Sequence, residues 1–127
     1  MSEKDFPSVL IVDDEEHSAL LITALIRKHF QKVEHIQAVK TISEALQFIN
    51  QNKVDILFLD IELRGESGFG LLDKIRERNF EFICLSASKE YAFKVFGYGG
   101  AGYLLKPVNA DELRIVLNRV LAKRVSV

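Results

Sequence analysis

Asp55-Ile56-Leu57-Phe58-Leu59-Asp60 reads as a β-strand covered on both faces. Its centre is four apolar residues without polar alternation, bounded by charged groups and too short for a buried helix, as in a parallel sheet. Upstream, Ser8-Val9-Leu10-Ile11-Val12 has the same character. Downstream, Phe82-Ile83-Cys84-Leu85 and Tyr103-Leu104-Leu105 repeat it. Val33 to Val39 alternates in part, with Glu34, His35 and Gln37 among its apolar residues, which suits an edge strand with one wetter face.

Stretches of helical period separate these runs. In Glu15 to Phe30, Ile22, Ile26 and Phe30 fall four apart. Thr41-Ile42-Ser43-Glu44 forms a capping box, and Ile42, Ala45, Leu46 and Ile49 stripe a helix over Thr41 to Gln51. The spacing of Phe69, Leu72 and Ile75 predicts a third helix over Gly68 to Arg78, beyond the polar loop Arg64 to Gly68. Glu90 to Phe96 predicts a short, aromatic fourth helix, and Gly97 to Gly102, with four of the seven glycines, a turn. Asn109 and Glu112 form a second capping box, opening a helix striped by Leu113, Val116, Leu117, Val120 and Leu121. Strand and helix therefore alternate five times, (βα)5. Such alternation is an α/β, doubly wound parallel sheet with helices on both faces and right-handed crossovers.

Composition narrows the function. The 127 residues are enough for one domain with a real core, expected over 8–122, with loose ends at 1–7 and 123–127. The residues past 122 also read as the start of a linker. Lysine plus arginine total 17 and aspartate plus glutamate 18, a net charge of -1 that argues against direct nucleic-acid binding by this domain. One cysteine cannot form an internal disulfide, which fits a reducing, cytoplasmic setting. No apolar run approaches the length of a membrane span, and the polar start Met1-Ser2-Glu3-Lys4-Asp5 is unlike a secretory signal.

Ligands of open parallel sheets sit beyond the carboxyl ends of the strands. The first strand ends in Asp13-Asp14, the third in Asp60, the fourth in Ser86-Ala87 and the fifth in Lys106-Pro107. Carboxylates crowded on one edge repel; a pair about 4 Å apart costs roughly 4 kcal/mol at an intermediate dielectric. A hard cation bound by oxygens, Mg2+ or Mn2+, relieves the crowding, and Lys106 adds a fixed positive charge. Metal, ammonium and hydroxyl together can hold a phosphoryl group, and an aspartate can itself be the nucleophile. Asp60, aimed at the cluster by the longest buried strand, is the candidate acceptor.

These residues carry a resemblance. Val9-Leu10-Ile11-Val12-Asp13-Asp14-Glu15, Leu57-Phe58-Leu59-Asp60 with Gly68 eight later, Leu85-Ser86-Ala87 and Tyr103-Leu104-Leu105-Lys106-Pro107 resemble the receiver domain of bacterial two-component response regulators, over about residues 8–122. The resemblance implies a flavodoxin-like sheet of order 2-1-3-4-5. It also implies that Asp60 accepts phosphate from the phosphohistidine of a sensor histidine kinase. Mg2+ would then be held by Asp13, Asp14, Asp60 and the backbone carbonyl of Glu62. Lys106 would pair with the phosphoryl group ahead of a cis bond to Pro107, Ser86 would hydrogen-bond it, and Tyr103 would swing inward when Ser86 moves. The protein would then be a phosphoacceptor rather than an enzyme, limited to self-phosphotransfer and autodephosphorylation.

Tyr91-Ala92-Phe93-Lys94-Val95-Phe96 and Tyr103 to Val108 are similar to receivers of the LytTR subfamily, which precede a DNA-binding output domain. The alternatives are a stand-alone receiver and a phosphatase of the haloacid dehalogenase type, although Asp13-Asp14 precede Asp60, the reverse of that family's order. Two positions depart from the receiver pattern: Arg64 replaces the usual loop proline, and Gly102 the usual aspartate before the aromatic. The aromatic fourth helix, with the fifth strand and fifth helix, predicts an exposed partner or homodimer surface. Cys84 reads as an inert core thiol, and His17, His29 and His35 as surface histidines.

Overall fold

The computed structural model describes residues 7–75 and 77–125. Its elements are β1 (Ser8–Val12), α1 (Glu16–His29), β2 (His35–Val39), α2 (Ile42–Gln51), β3 (Ile56–Asp60), β4 (Glu62–Leu63), β5 (Glu66–Ser67), α3 (Phe69–Lys74), β6 (Glu81–Ser86), α4 (Ala92–Gly97), β7 (Gly102–Leu105) and α5 (Ala110–Val125). Five strands form one parallel sheet in the order β2-β1-β3-β6-β7. This is the implied order once the small antiparallel hairpin β4–β5 is set aside.

Side chains alternate across the sheet and divide the core in two. Val9, Ile11, Ile56, Phe58, Ile83 and Leu85 face the side covered by α1 and α5. Leu10, Val12, Leu57, Leu59, Phe82 and Cys84 face the side covered by α2, α3 and α4. All residues of β3 are buried, so the unalternating apolar run is explained: both of its faces are interior. Burying its Phe58 alone contributes about 2–3 kcal/mol. At the edge, β2 starts at His35 rather than Val33 and leaves His35, Gln37 and Ala38 exposed.

The Thr41 box forms as expected: Thr41 Oγ1 accepts from the Glu44 N–H, and the Glu44 carboxylate accepts from the Thr41 N–H. The third helix is shorter than its periodicity predicts and ends at Lys74 rather than Arg78. The Arg78 guanidinium donates to the Leu72 carbonyl at 3.0 Å, an acceptor that one more helical turn would use. The fourth helix is equally short, with Tyr91 as its cap. Pro7 is buried and α5 continues to Val125; the expectation of loose ends otherwise falls on residues 1–6, 126 and 127, outside the described residues.

Gly102 explains one departure from the receiver pattern. A Cβ there would lie 2.5 Å from Val116 Cγ1, so the packing of α5 on β7 leaves no room for an aspartate.

Candidate functional site

The chain leaves β1 toward β2 and leaves β3 toward β6, so the crevice between their carboxyl ends is a topological switch point. Asp13 follows β1, Asp60 ends β3, and Lys106 follows β7, tied to β6 by its N–H on the Ser86 carbonyl at 2.9 Å. The sheet thus delivers all three to one place. Lys106 Nζ lies 2.8 Å from Asp60 Oδ2, 3.2 Å from Asp13 Oδ1 and 2.6 Å from Glu15 Oε1. Asp13 and Asp60 are almost wholly buried, and the peptide bond between Lys106 and Pro107 is cis, as the resemblance implies.

Three carboxylates surround one ammonium, leaving an excess of negative charge. Burial pushes the Asp60 carboxyl up to about 6, with the Asp13 charge adding to the rise. Hydrogen bonds from Lys106 and the Glu62 N–H, the latter at 2.8 Å, pull the other way without cancelling it. Burial likewise opposes the charge on Lys106, but its hydrogen bonds to Asp60, Glu15 and Asp13 outweigh this and hold the amine above its ordinary value. Both groups of the ion pair therefore move upward, Asp60 through burial and Lys106 through its surplus of anionic neighbours.

The oxygens suit a hard cation. Asp13 Oδ2 stands 3.0 Å from Lys106 Nζ but out of line for a hydrogen bond, leaving a buried carboxylate oxygen held by charge alone. One oxygen each from Asp13, Glu15 and Asp60 falls within 4.8 Å of the others. Oxygen-only donors at this spacing fit the chemistry of Mg2+ or Mn2+.

Asp14, expected in the same cluster, points elsewhere: its Oδ2 accepts from the Arg64 N–H at 2.8 Å and lies 3.8 Å from Arg64 Nε. Glu15 stands in its place. Four acidic residues in a row, Asp13 to Glu16, were visible in the sequence, but which of them reaches Lys106 depends on a tight turn in which Asp13 Oδ1 accepts from the Glu15 N–H.

Ser86 closes the site on the β6 side. It is fully buried, and its Oγ donates to Glu62 Oε1 at 2.9 Å. The Ala87 N–H donates to the same oxygen at 3.2 Å. The Ser88 N–H donates to Ser86 Oγ, and the Tyr103 hydroxyl donates to the Ser88 carbonyl. Tyr103 is thereby wired to the site, while its ring lines an outer groove with Lys89, Ala92, Leu105, Glu112 and Ile115. Phe93, Phe96 and Ile115 are exposed along this α4–β7–α5 face, Phe93 at 90%. The contact between the Glu62 carboxylate and Ser86 was not foreseen from the sequence; their 24-residue separation leaves no local signal.

Comparison with known proteins agrees with this geometry. The family profile described as "Response regulator receiver domain" matches residues 9–118. The chain is 33% identical over 113 residues to the sensory transduction protein LytT of Enterococcus faecalis, covering 87% of this chain and 46% of that one. It is 32% identical over 113 residues to LytR of Staphylococcus epidermidis, covering 87% and 44%. The chain thus spans about half the length of these relatives. Among solved structures, the response regulatory domain of protein mrkE from Klebsiella pneumoniae superposes with a TM-score of 0.83 at 28% identity, covering 92% of this chain and 97% of that one. A two component response regulator from Cytophaga hutchinsonii gives 0.80 at 26%, covering 93% and 98%. With its sheet order, its strand-end aspartates and its lysine all in the matched region, the chain belongs to the response regulator receiver domains of two-component systems, with LytT- and LytR-type regulators among its relatives.

Proposed function

We propose that the module spanning 8–122 is a phosphorylation-gated switch whose acceptor is Asp60. The observation that carries this reading is the buried Asp60 carboxylate, bonded to Lys106 Nζ at 2.8 Å with a second buried carboxylate, Asp13, on the same amine. The donor is the phosphohistidine of a sensor histidine kinase. An Asp60 carboxylate oxygen forms the new O–P bond as the N–P bond breaks, and the bonding pair returns to the imidazole nitrogen. At neutral pH an acceptor of pKa about 6 is mostly ionised and so nucleophilic. Asp13, Asp60, the Glu62 backbone carbonyl and an acidic neighbour, Glu15 or Asp14, would hold Mg2+ (or Mn2+) here. Such an ion would supply positive charge for the phosphoryl oxygens.

Lys106 then shifts from carboxylates to the phosphoryl group, and Ser86 offers its hydroxyl. Phosphate adds about two negative charges, and this biases the α4–β7–α5 surface between two arrangements, with Tyr103 as the reporter. That surface pairs two copies of the chain and passes the signal to an output domain of the longer protein, DNA-binding as in LytTR regulators. Incubation with acetyl phosphate and Mg2+ tests the acceptor. Wild-type protein gains one phosphoryl group by intact mass and Asp60→Asn gains none; equal labelling of both refutes the assignment.

A further inference from the structure

We propose that the Glu62 side chain is a resident stand-in for the phosphoryl group, holding the donors that the phosphorylated aspartate must capture. This rests on the phosphoacceptor reading above and adds a competitor inside the same site. Glu62 Oε1 accepts from Ser86 Oγ at 2.9 Å and from the Ala87 N–H at 3.2 Å. A hydroxyl has one proton to donate, and that of Ser86 is committed to Glu62. One anionic oxygen thus engages two donors of the β6–α4 loop, the arrangement an anionic phosphoryl oxygen would need.

The hairpin that delivers Glu62 is fixed on several sides. The Glu62 N–H donates to Asp60 Oδ1, the Arg64 N–H to Asp14 Oδ2, and the Ile42 N–H at the start of α2 to Glu66 Oε2. Glu62 itself is exposed, so its carboxylate can turn to solvent once displaced. The contact also reaches the outer face, because Ser86 Oγ accepts from the Ser88 N–H and the Ser88 carbonyl accepts from the Tyr103 hydroxyl. Glu62 therefore keeps the β6–α4 loop drawn in without phosphate, and phosphorylation exchanges one anionic acceptor for another at Ser86. Two effects act in the same direction on the incoming group: the engaged hydrogen bond must break, and the Glu62 charge repels it.

The test is the affinity for beryllofluoride with Mg2+, read from the backbone amide resonances of Ala87 and Ser88, in wild type, Glu62→Ala, Glu62→Gln, Ser86→Ala and the double variant Glu62→Ala/Ser86→Ala. Glu62→Ala binds about fivefold to tenfold more tightly than wild type, the size expected for losing one competing hydrogen bond of ordinary net strength to an exposed carboxylate. Glu62→Gln, which keeps an acceptor but not the charge, falls between them. In the Ser86→Ala background the gain from Glu62→Ala shrinks below about twofold, which a merely structural role of Glu62 would not produce. Equal or weaker binding by Glu62→Ala, with its thermal midpoint unchanged, overturns the competition. Absence of binding in all five proteins overturns the phosphoacceptor reading and this inference with it.

Discussion

Replacing Gly68 with alanine tests how tightly the hairpin is seated under the acceptor. Gly68 has ordinary helical dihedrals, φ −58° and ψ −28°, so its conformation does not require glycine. Space does. A Cβ would stand 2.3 Å from the Asp60 carbonyl oxygen, 2.9 Å from Ile61 Cα and 3.1 Å from the Asp60 carbonyl carbon. These are backbone atoms and cannot rotate away. The chain must separate by about 1 Å to restore carbon–oxygen contact. That movement strains the Gly68 N–H bond to the Ile61 carbonyl at 2.8 Å and the Ile61 N–H bond to the Leu85 carbonyl at 3.0 Å. Overpacking of this kind costs about 1–3 kcal/mol, and a weakened buried hydrogen bond adds about 1 kcal/mol. Reduced unfolded-state entropy returns about 0.5–1 kcal/mol, leaving a net loss of about 1–3.5 kcal/mol, centred on about 2 kcal/mol.

Gly70→Ala, two residues on, is the internal control. Its nearest neighbour would be Ile42 Cδ1 at 3.5 Å, an ordinary contact inside α3, so it stabilises by about 0.5–1 kcal/mol. Urea unfolding reads both. The Gly68→Ala midpoint falls by about 1–2 M with unchanged slope, and that of Gly70→Ala rises slightly. Acetyl phosphate labelling also slows in Gly68→Ala, since the displaced atoms carry Asp60. Equal midpoints for the two variants would refute the steric argument.

Two further outcomes follow from buried and capped groups. Burial pushes the Cys84 thiol up to about 12, so at pH 8 its thiolate fraction lies about a thousandfold below that of an ordinary cysteine. A chromogenic disulfide reagent therefore labels native protein only as fast as the sheet opens, and rapid native labelling contradicts the described core. Thr41→Ala costs about 1 kcal/mol in chemical unfolding through loss of the α2 cap. The backbone N–H of Lys40 holds the Glu44 carboxyl below its ordinary value, so its share of the cap is present above the usual carboxylate range. That share fades as pH falls through the lowered value, and the stability gap between wild type and Glu44→Gln closes in acid.

What the sequence revealed and what it concealed divide by range. The runs in β1, β3 and β6 were legible because both sheet faces are covered, and the capping box of α2 because its partners stand three residues apart. Asp13, Asp60 and Lys106 were legible as strand ends, since a parallel sheet brings all carboxyl ends to one edge. The hairpin β4–β5 was not, since two-residue strands carry no period. At the early end of α3 the Arg78 guanidinium folds back onto the Leu72 carbonyl, a contact that periodicity cannot register. The reach of Glu15 to Lys106, of Asp14 to the Arg64 N–H and of Glu62 to Ser86 depends on which loop occupies the rim, and no local pattern encodes it.

Lys106 meets Asp13 across 93 residues of chain, and this separation governs when the site can exist during synthesis. Translation delivers Asp13 well before Lys106, so the nascent module carries the acids without their counter-charge until the fifth strand of the parallel sheet has emerged. A product truncated ahead of Lys106 lacks both the neutralising amine and, if cut slightly earlier, the edge strand that places it. The joined cluster of Asp13, Asp60 and Lys106 is thus a property of the finished module, and a fragment cut before Lys106 would lack the phosphoacceptor site proposed above.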